Sequence, residues 1–196
     1  MLQARLYLDY VDPGSFLMDR RLTALEETLA LSVERLAWEV RRPPEPLLDP
    51  EDPAWTGYWR EMASEARDEG VELVEPGLVP WTRKAHELAL HAREKGCFDK
   101  VHRALMDAFH LEGLDLGRVD VLVTLGSGVG LDLSETKAVL DVDRHAETLA
   151  MVRNEGVQRG VRGVPTLVCG GALLEGVHST DDIAGFLRSS MTQGES

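Results

Sequence analysis

Asp12 and Ser15 lie three positions apart at the predicted start of a helix, where a carboxylate and a hydroxyl can take part in chemistry. Pro13 suits the first turn of a helix because its missing N–H would have no partner there. Asp12 before it is a favoured N-cap residue and would contribute roughly 1 kcal/mol in that role alone. The same carboxylate could instead act as a general base or bind a cationic group. Both interpretations of Asp12 stay open.

A second segment of interest is Gly163-Val164-Pro165-Thr166, which runs directly into the apolar residues of a predicted strand. Peptide bonds that precede proline are the ones that adopt the cis form, usually in tight turns. This segment is therefore either a turn that the fold needs or a backbone shaped to meet a ligand, and the sequence favours neither.

The other residues that could do chemistry form no recognisable motif. Cys97 and Cys169 lie far apart, and we expect both to be thiols, with Cys169 packed as a small buried residue in a strand. The six histidines include no i, i+4 pair on one helix face. No glycine-rich phosphate motif follows a predicted strand. The sequence therefore predicts no metal and no nucleotide cofactor.

The net charge of the chain limits the classes of partner that it can bind. The 196 residues carry a formal net charge of −13, which disfavours nucleic acid and anionic membrane surfaces. No apolar run reaches the length of a membrane span, and no basic segment leads into an apolar stretch near Met1. We therefore expect a cytoplasmic protein with no membrane partner.

Hydrophobic periodicity predicts two strands with a helix between them, a helical region, and a terminal hairpin followed by a helix. The gap between residues 40 and 166 shows no strand character. It holds several helices, the last of them running from Ser134 towards Glu155 with a break near Val142. The predicted strands are the first segment, which reads as a strand from Leu2 to Asp9 with its apolar and aromatic run at Leu6 to Tyr10, and then Val33 to Val40, Thr166 to Cys169 and Ala172 to Glu175.

Three segments carry a family resemblance. The Gly-Val-Pro-Thr string resembles the cis-proline loop of the thioredoxin superfamily, and residues 10–17 lie where that superfamily carries its Cys-x-x-Cys. The stretch from Val79 to Leu88 resembles the opening of the helical insert in the cytoplasmic FrnE-type branch of the DsbA-like family, with Trp81 in place of the usual asparagine. The resemblance implies an α/β thioredoxin-like fold, residues 1–48 plus 156–196, with an inserted all-helical domain, residues 49–155.

The resemblance also implies what the site has lost. Active members of the family place a cysteine at the N-cap of the first helix, where the helix dipole stabilises the attacking thiolate. Here Asp12 and Ser15 stand at the two cysteine positions, and a carboxylate cannot form a mixed disulfide. The leading hypothesis is a redox-inactive oxidoreductase relative that binds a peptide or a small thiol compound beside the cis-proline loop. Its expected binding residues are Pro13, Gly14, Val164 and Pro165.

Two other hypotheses remain. The family includes glutathione-dependent isomerases of 2-hydroxychromene-2-carboxylate and kappa-class glutathione transferases, which would give Asp12 or Ser15 a catalytic role and make glutathione a co-substrate. The third hypothesis is a non-catalytic module that only recognises extended peptide. Dimers are common in folds of this kind, so a homodimer also remains an alternative.

Overall fold

The chain forms an α/β fold of four strands and eight helices across the residues that the structure describes. The computed structural model describes residues 1–193, with side chains through residue 190. The elements in chain order are β1 Leu2–Leu8, α1 Pro13–Thr28, β2 Leu31–Ala37, α2 Pro53–Asp68, α3 Arg83–Glu94, α4 Phe98–His110, α5 Val119–Gly128, α6 Leu133–Asp141, α7 Ala146–Gln158, β3 Thr166–Cys169, β4 Ala172–Glu175 and α8 Thr180–Gln193.

The chain divides into two compact units. The sheet unit comprises Met1–Val40 together with the chain from Met151 onward, and the helical unit comprises Arg41–Ala150. The sequence predicted the breaks after residues 48 and 155, so both structural boundaries fall earlier along the chain. Helix α7 crosses the second boundary, and for this reason no loop marks it.

The sheet has the strand order β2-β1-β3-β4. Strand β1 pairs in parallel with β2 and antiparallel with β3, and β3 forms a hairpin with β4. Gly170 and Gly171 make the hairpin turn with positive φ angles of 56° and 87°, a conformation that side chains disfavour. The arrangement is the thioredoxin-like fold that the family resemblance implied.

The sheet unit closes around buried aromatic rings. Tyr7 and Trp38 meet edge to face with their ring centroids 6.0 Å apart. Gly156 of α7 approaches these rings so closely that an added Cβ would lie 2.8 Å from Tyr7 and 2.9 Å from Trp38. A glycine is needed here because interiors are packed to crystal-like density.

The helical unit is organised around α3, which packs against α4, α5 and α6. Its apolar stripe, which includes Leu88 and Ala92, is fully buried. None of the helices in residues 1–193 combines the length and the apolar composition that a bilayer crossing requires.

Local expectations were wrong where distant contacts set the boundary. Strand β1 begins at Leu2, as the apolar start of the chain predicted, whereas β2 runs from Leu31 to Ala37 rather than from Val33 to Val40, because its whole length pairs with β1. By contrast, the break expected near Val142 in the long helix from Ser134 is confirmed: α6 and α7 are separate helices, with Asp143 between them at φ 50°. The cap of α6 is Asp132, whose side chain accepts a hydrogen bond from the Glu135 N–H, rather than Ser134.

Candidate functional site

The tip of helix α1 carries the two residues that stand at the cysteine positions. Asp12 is the N-cap, with extended backbone angles (φ −92°, ψ 113°) and Pro13 in the first turn. Its Oδ2 accepts hydrogen bonds from the Ser15 N–H at 2.7 Å and from the Ser15 hydroxyl at 2.6 Å. The carboxylate therefore satisfies the helix terminus, and the only proton of the Ser15 hydroxyl is committed to it.

Asp9 completes this buried arrangement, and sequence reasoning missed it. Its main-chain N–H donates to Ser15 Oγ at 3.2 Å, and its Oδ2 accepts the Val40 N–H at 2.6 Å. Asp9 and Ser15 are inaccessible to solvent, and Asp12 is 4% exposed. An aspartate at the end of an apolar strand was the available signal, because an acidic residue is rarely buried unless it is paired.

The loop before β3 presents a different surface. The Val164–Pro165 peptide bond is cis. Thr166 Oγ1 donates to the Gly163 carbonyl at 2.8 Å, and the Pro165 carbonyl accepts the Gly176 N–H at 2.8 Å. Among residues 1–193, the N–H and C=O of Val164 form no hydrogen bond. Gly163 and Val164 are half-buried, whereas Pro13 and Gly14 at the helix tip are buried.

The strand register brings the α1 tip and the loop at Val164 to the same end of the sheet. Strand β1 ends at Leu8, shortly before α1 begins, and antiparallel β3 starts at Thr166 opposite Tyr7. The α1 tip and the loop at Val164 therefore leave the sheet at the same end. The six site residues predicted from the sequence all belong to these two segments.

Neither cysteine belongs to the α1 tip or to the loop at Val164. Cys169 lies at the opposite end of β3, opposite Ala4, where its Sγ donates to the Gln3 carbonyl at 3.6 Å. Burial raises the pKa of the Cys169 thiol, which keeps it protonated and unreactive. Cys97 precedes α4 in the helical unit, and both cysteines are free.

The segment that resembles the opening of the insert introduces a buried acid. Trp81 is partly exposed and donates its indole N–H to the Glu45 carbonyl at 3.0 Å, while His86 is buried. Glu87 is fully buried, with the Lys84 ammonium 3.8 Å from its Oε2. Burial and the nearby Asp143 carboxylate raise the pKa of Glu87 to about 7, although the Lys84 charge opposes the rise.

Lys84 is held in place from the other side of the same cluster. Its ammonium donates to the Leu140 carbonyl and lies 2.6 Å from Asp143 Oδ1. That contact keeps the pKa of Asp143 below its usual range. Glu87 is therefore the acid of this group that titrates near neutral pH, and no sequence pattern indicated it.

The family model for the DSBA-like thioredoxin domain matches residues 4–188. The chain belongs to this family. Its two cysteines are free and neither stands in a Cys-x-x-Cys motif, so the family's usual motif is absent.

Known relatives fit this assignment. The uncharacterized protein YwbO of Bacillus subtilis is 27% identical over 187 residues, which cover 90% of this chain and 91% of that protein. The probable DsbA oxidoreductase SCO1869 of Streptomyces coelicolor superposes with a TM-score of 0.83 at 18% identity, covering 98% of this chain and 91% of its own. A 2-hydroxychromene-2-carboxylate isomerase gives a TM-score of 0.81 at 20% identity, covering 98% and 95%. At these identities the two structures establish the fold and not the reaction.

Proposed function

We propose that this chain is a redox-inactive member of the DSBA-like family that binds an extended peptide or a cysteinyl compound such as glutathione along the main chain of residues 163–165. The observation that carries the proposal is the α1 tip. The atom that would attack a disulfide is replaced by a carboxylate oxygen that already accepts two hydrogen bonds from Ser15.

The electrostatics of the tip oppose sulfur chemistry. A thiolate brought to the helix N-terminus would be stabilised by the helix dipole, but here it would meet the negative charge of Asp12. The Ser15 hydroxyl could donate to a sulfur only by leaving Asp12, which would leave a buried carboxylate poorly paired. These features favour recognition over thiol activation.

The loop supports the binding half of the proposal. The main-chain N–H and C=O of Val164 make no hydrogen bond within the described chain, and the residue is half-buried rather than enclosed. A ligand with an extended backbone could pair with both groups, which is how a strand is added to an exposed edge. Side-chain chemistry at Asp12 would not be required for such binding.

Calorimetric titration with reduced glutathione and with S-methylglutathione tests this proposal. Because main-chain pairing does not use the thiol, the two compounds should bind with dissociation constants within about threefold of each other, a difference below about 1 kcal/mol. In an NMR titration, the Val164 amide should shift the most. Failure of both compounds, and of an extended cysteine-containing peptide, to bind would refute the proposal.

The isomerase-like alternative predicts a different outcome in the same experiment. If Ser15 released Asp12 and stabilised a thiolate, reduced glutathione would bind far more tightly than its S-methyl form, and the pKa of its thiol would fall on binding. Ultraviolet thiolate absorbance of the complex measures that pKa. Such a fall would favour the alternative over the proposal.

A matched pair of glycine variants locates the binding surface. An added Cβ meets nothing within 4 Å at either Gly163 or Gly185, and neither residue has a positive φ angle, so both positions can carry a side chain. Gly163→Glu should weaken binding of anionic glutathione at least tenfold, because it places a like charge beside Val164. Gly185→Glu, with the same charge on α8, should leave it unchanged. Equal effects from both variants would place the ligand elsewhere.

A further inference from the structure

Three side chains in the helical unit converge on one point that the proposed binding function does not use. His91 and Glu94 lie one turn apart on α3, and His145 directly precedes α7. One ligating atom from each residue lies within 4.8 Å of the other two. His145 Nε2 is 4.0 Å from Glu94 Oε2.

The two histidines are buried without the partners that buried imidazoles need. His91 is 1% exposed and His145 is 5% exposed. Among residues 1–193, no hydrogen-bond partner is present for either ring nitrogen of His91 or for Nε2 of His145. A buried polar group left unpaired destabilises the folded state, and such groups in a folded protein call for an explanation.

The donor set explains both observations at once if it holds a cation. Neutral imidazole nitrogen and carboxylate oxygen are zinc ligands, and burial favours the neutral imidazole. Ligands on a tetrahedral zinc at 2.0–2.1 Å lie roughly 3.3–3.5 Å apart. Closing the cluster to that size needs movements of about 1 Å, and the half-exposed Glu94 side chain is free to make the largest of them.

The charges around the cluster balance one another. Arg144 Nη2 lies 3.7 Å from Glu94 Oε2, and Lys95 Nζ lies 2.7 Å from Glu135 Oε1. A bound cation would replace the long Arg144 contact, while the Lys95–Glu135 pair could persist beside it. The net charge of −13 on the chain favours cation uptake in general.

We propose that His91, Glu94 and His145 form a binding site for a divalent transition metal, with zinc as the preferred ion. Two histidines and one glutamate leave a fourth position open to water or to a ligand, as in zinc sites that are not purely structural. The ion would join α3 to the start of α7 and would satisfy the buried imidazoles. Sequence reasoning predicted no metal because the two histidines lie on separate elements, far apart along the chain.

Zinc binding to metal-stripped, tag-free protein tests the site. One zinc ion per chain should bind, measured by competition with a chromophoric chelator. At a hundredfold excess over the dissociation constant, zinc should raise the melting temperature by roughly 5–10 °C. Calcium at the same concentration should not, since calcium prefers six to eight oxygen ligands. No zinc binding, or equal stabilisation by calcium, would overturn the proposal.

Matched variants decide whether the ion occupies this cluster. Glu94→Gln and His145→Gln should each weaken zinc binding at least tenfold, whereas Glu112→Gln, at an exposed carboxylate of the same unit outside the cluster, should not. Glu94 is exposed, so its variant keeps the test valid even if His145→Gln fails to fold. Unchanged affinity in Glu94→Gln would overturn the proposal.

Discussion

The tip of α1 and the interior of the helical unit treat buried polar groups in opposite ways. At the tip, the Asp12 carboxylate and the Ser15 hydroxyl are paired with each other and with the backbone. In the helical unit, His91 and Glu87 are buried with their polar atoms outside hydrogen-bonding distance of a donor or acceptor within the described residues. The contrast teaches that the polar groups at the α1 tip already have hydrogen-bond partners, whereas the helical unit contains buried polar atoms that have none among the described residues.

Asp12→Ala should give the largest effect of the single substitutions below. It removes an N-cap and two hydrogen bonds to a buried charged group, so the free energy of unfolding should fall by about 2 kcal/mol. Asp132→Ala is the matched control, because Asp132 caps α6 on the surface with a single hydrogen bond from the Glu135 N–H. Its loss should be about 0.5–1 kcal/mol.

Urea denaturation of both variants measures this comparison. If Asp12 is kept for its structural role, Asp12→Ala should lower the free energy of unfolding by more than Asp132→Ala does. If Asp12→Ala were as stable as the unmodified protein or more stable, the carboxylate would be held there against stability. The capping account of the tip would then be wrong.

Glu87→Gln tests the helical unit, where a buried carboxyl group without a hydrogen-bond partner among residues 1–193 should make the free energy of unfolding depend on pH. The folded-state pKa of Glu87 is about 7, above the ordinary value of 4.5. Its protonated form is therefore favoured by folding. The associated stability is fully present below about pH 4.5 and is lost as the pH rises through 7. Relative to the unmodified protein, Glu87→Gln should gain about 1–2 kcal/mol at pH 8, after an allowance for solvent screening, and little at pH 5.

The measurement is the difference in unfolding free energy between Glu87→Gln and the unmodified protein at pH 5, 6, 7 and 8. Glu112→Gln provides the control, since an exposed carboxylate should give a flat difference over this range. A flat difference for Glu87→Gln as well would show that Glu87 is ionised throughout and fully compensated by Lys84.

Tyr7→Phe should give the smallest change in stability, and it compares a buried hydroxyl with the hydrogen-bonded groups of the α1 tip in the same unit. The Tyr7 hydroxyl is buried without a hydrogen-bond partner among the described residues, and burial raises the pKa of Tyr7. Removing the hydroxyl keeps the edge-to-face contact with Trp38 and should stabilise the protein by about 0.5 kcal/mol. Thermal unfolding measures it. A loss of stability would show that the Tyr7 hydroxyl contributes to the fold, against its lack of a hydrogen-bond partner among the described residues.

The sequence predicted the elements that depend on local chemistry. Pro13 behind Asp12 predicted the start of α1, and Gly170-Gly171 predicted the hairpin turn between β3 and β4. The limits of β2 could not be predicted in this way: the sequence indicated Val33 to Val40, whereas pairing with β1 sets the strand at Leu31–Ala37. Boundaries set by a distant partner leave no local signal.

The site followed the same rule. Asp12 and Val164 could be selected as candidates, because each adjoins a proline and lies in a segment that carries the family resemblance, whereas their place at the same end of the sheet follows from the strand register. Asp9 had one sequence signal, its place at the end of an apolar strand, whereas Glu87 and the pair His91 and His145 had none, since their significance arises from burial and from neighbours on other elements. A buried charge is visible only once the packing around it is known.

The rate at which dithiothreitol reduces insulin in the presence of the protein tests the central claim most directly, namely that the α1 tip does not catalyse thiol–disulfide exchange. The unmodified chain should leave the uncatalysed rate unchanged, because no thiol lies at the α1 tip. Asp12→Cys combined with Ser15→Cys should accelerate insulin reduction at least tenfold, since the helix terminus and the loop at Val164 are in place to support a dithiol. Acceleration by the unmodified chain that is lost on Cys169→Ser or on Asp12→Ala would contradict the account.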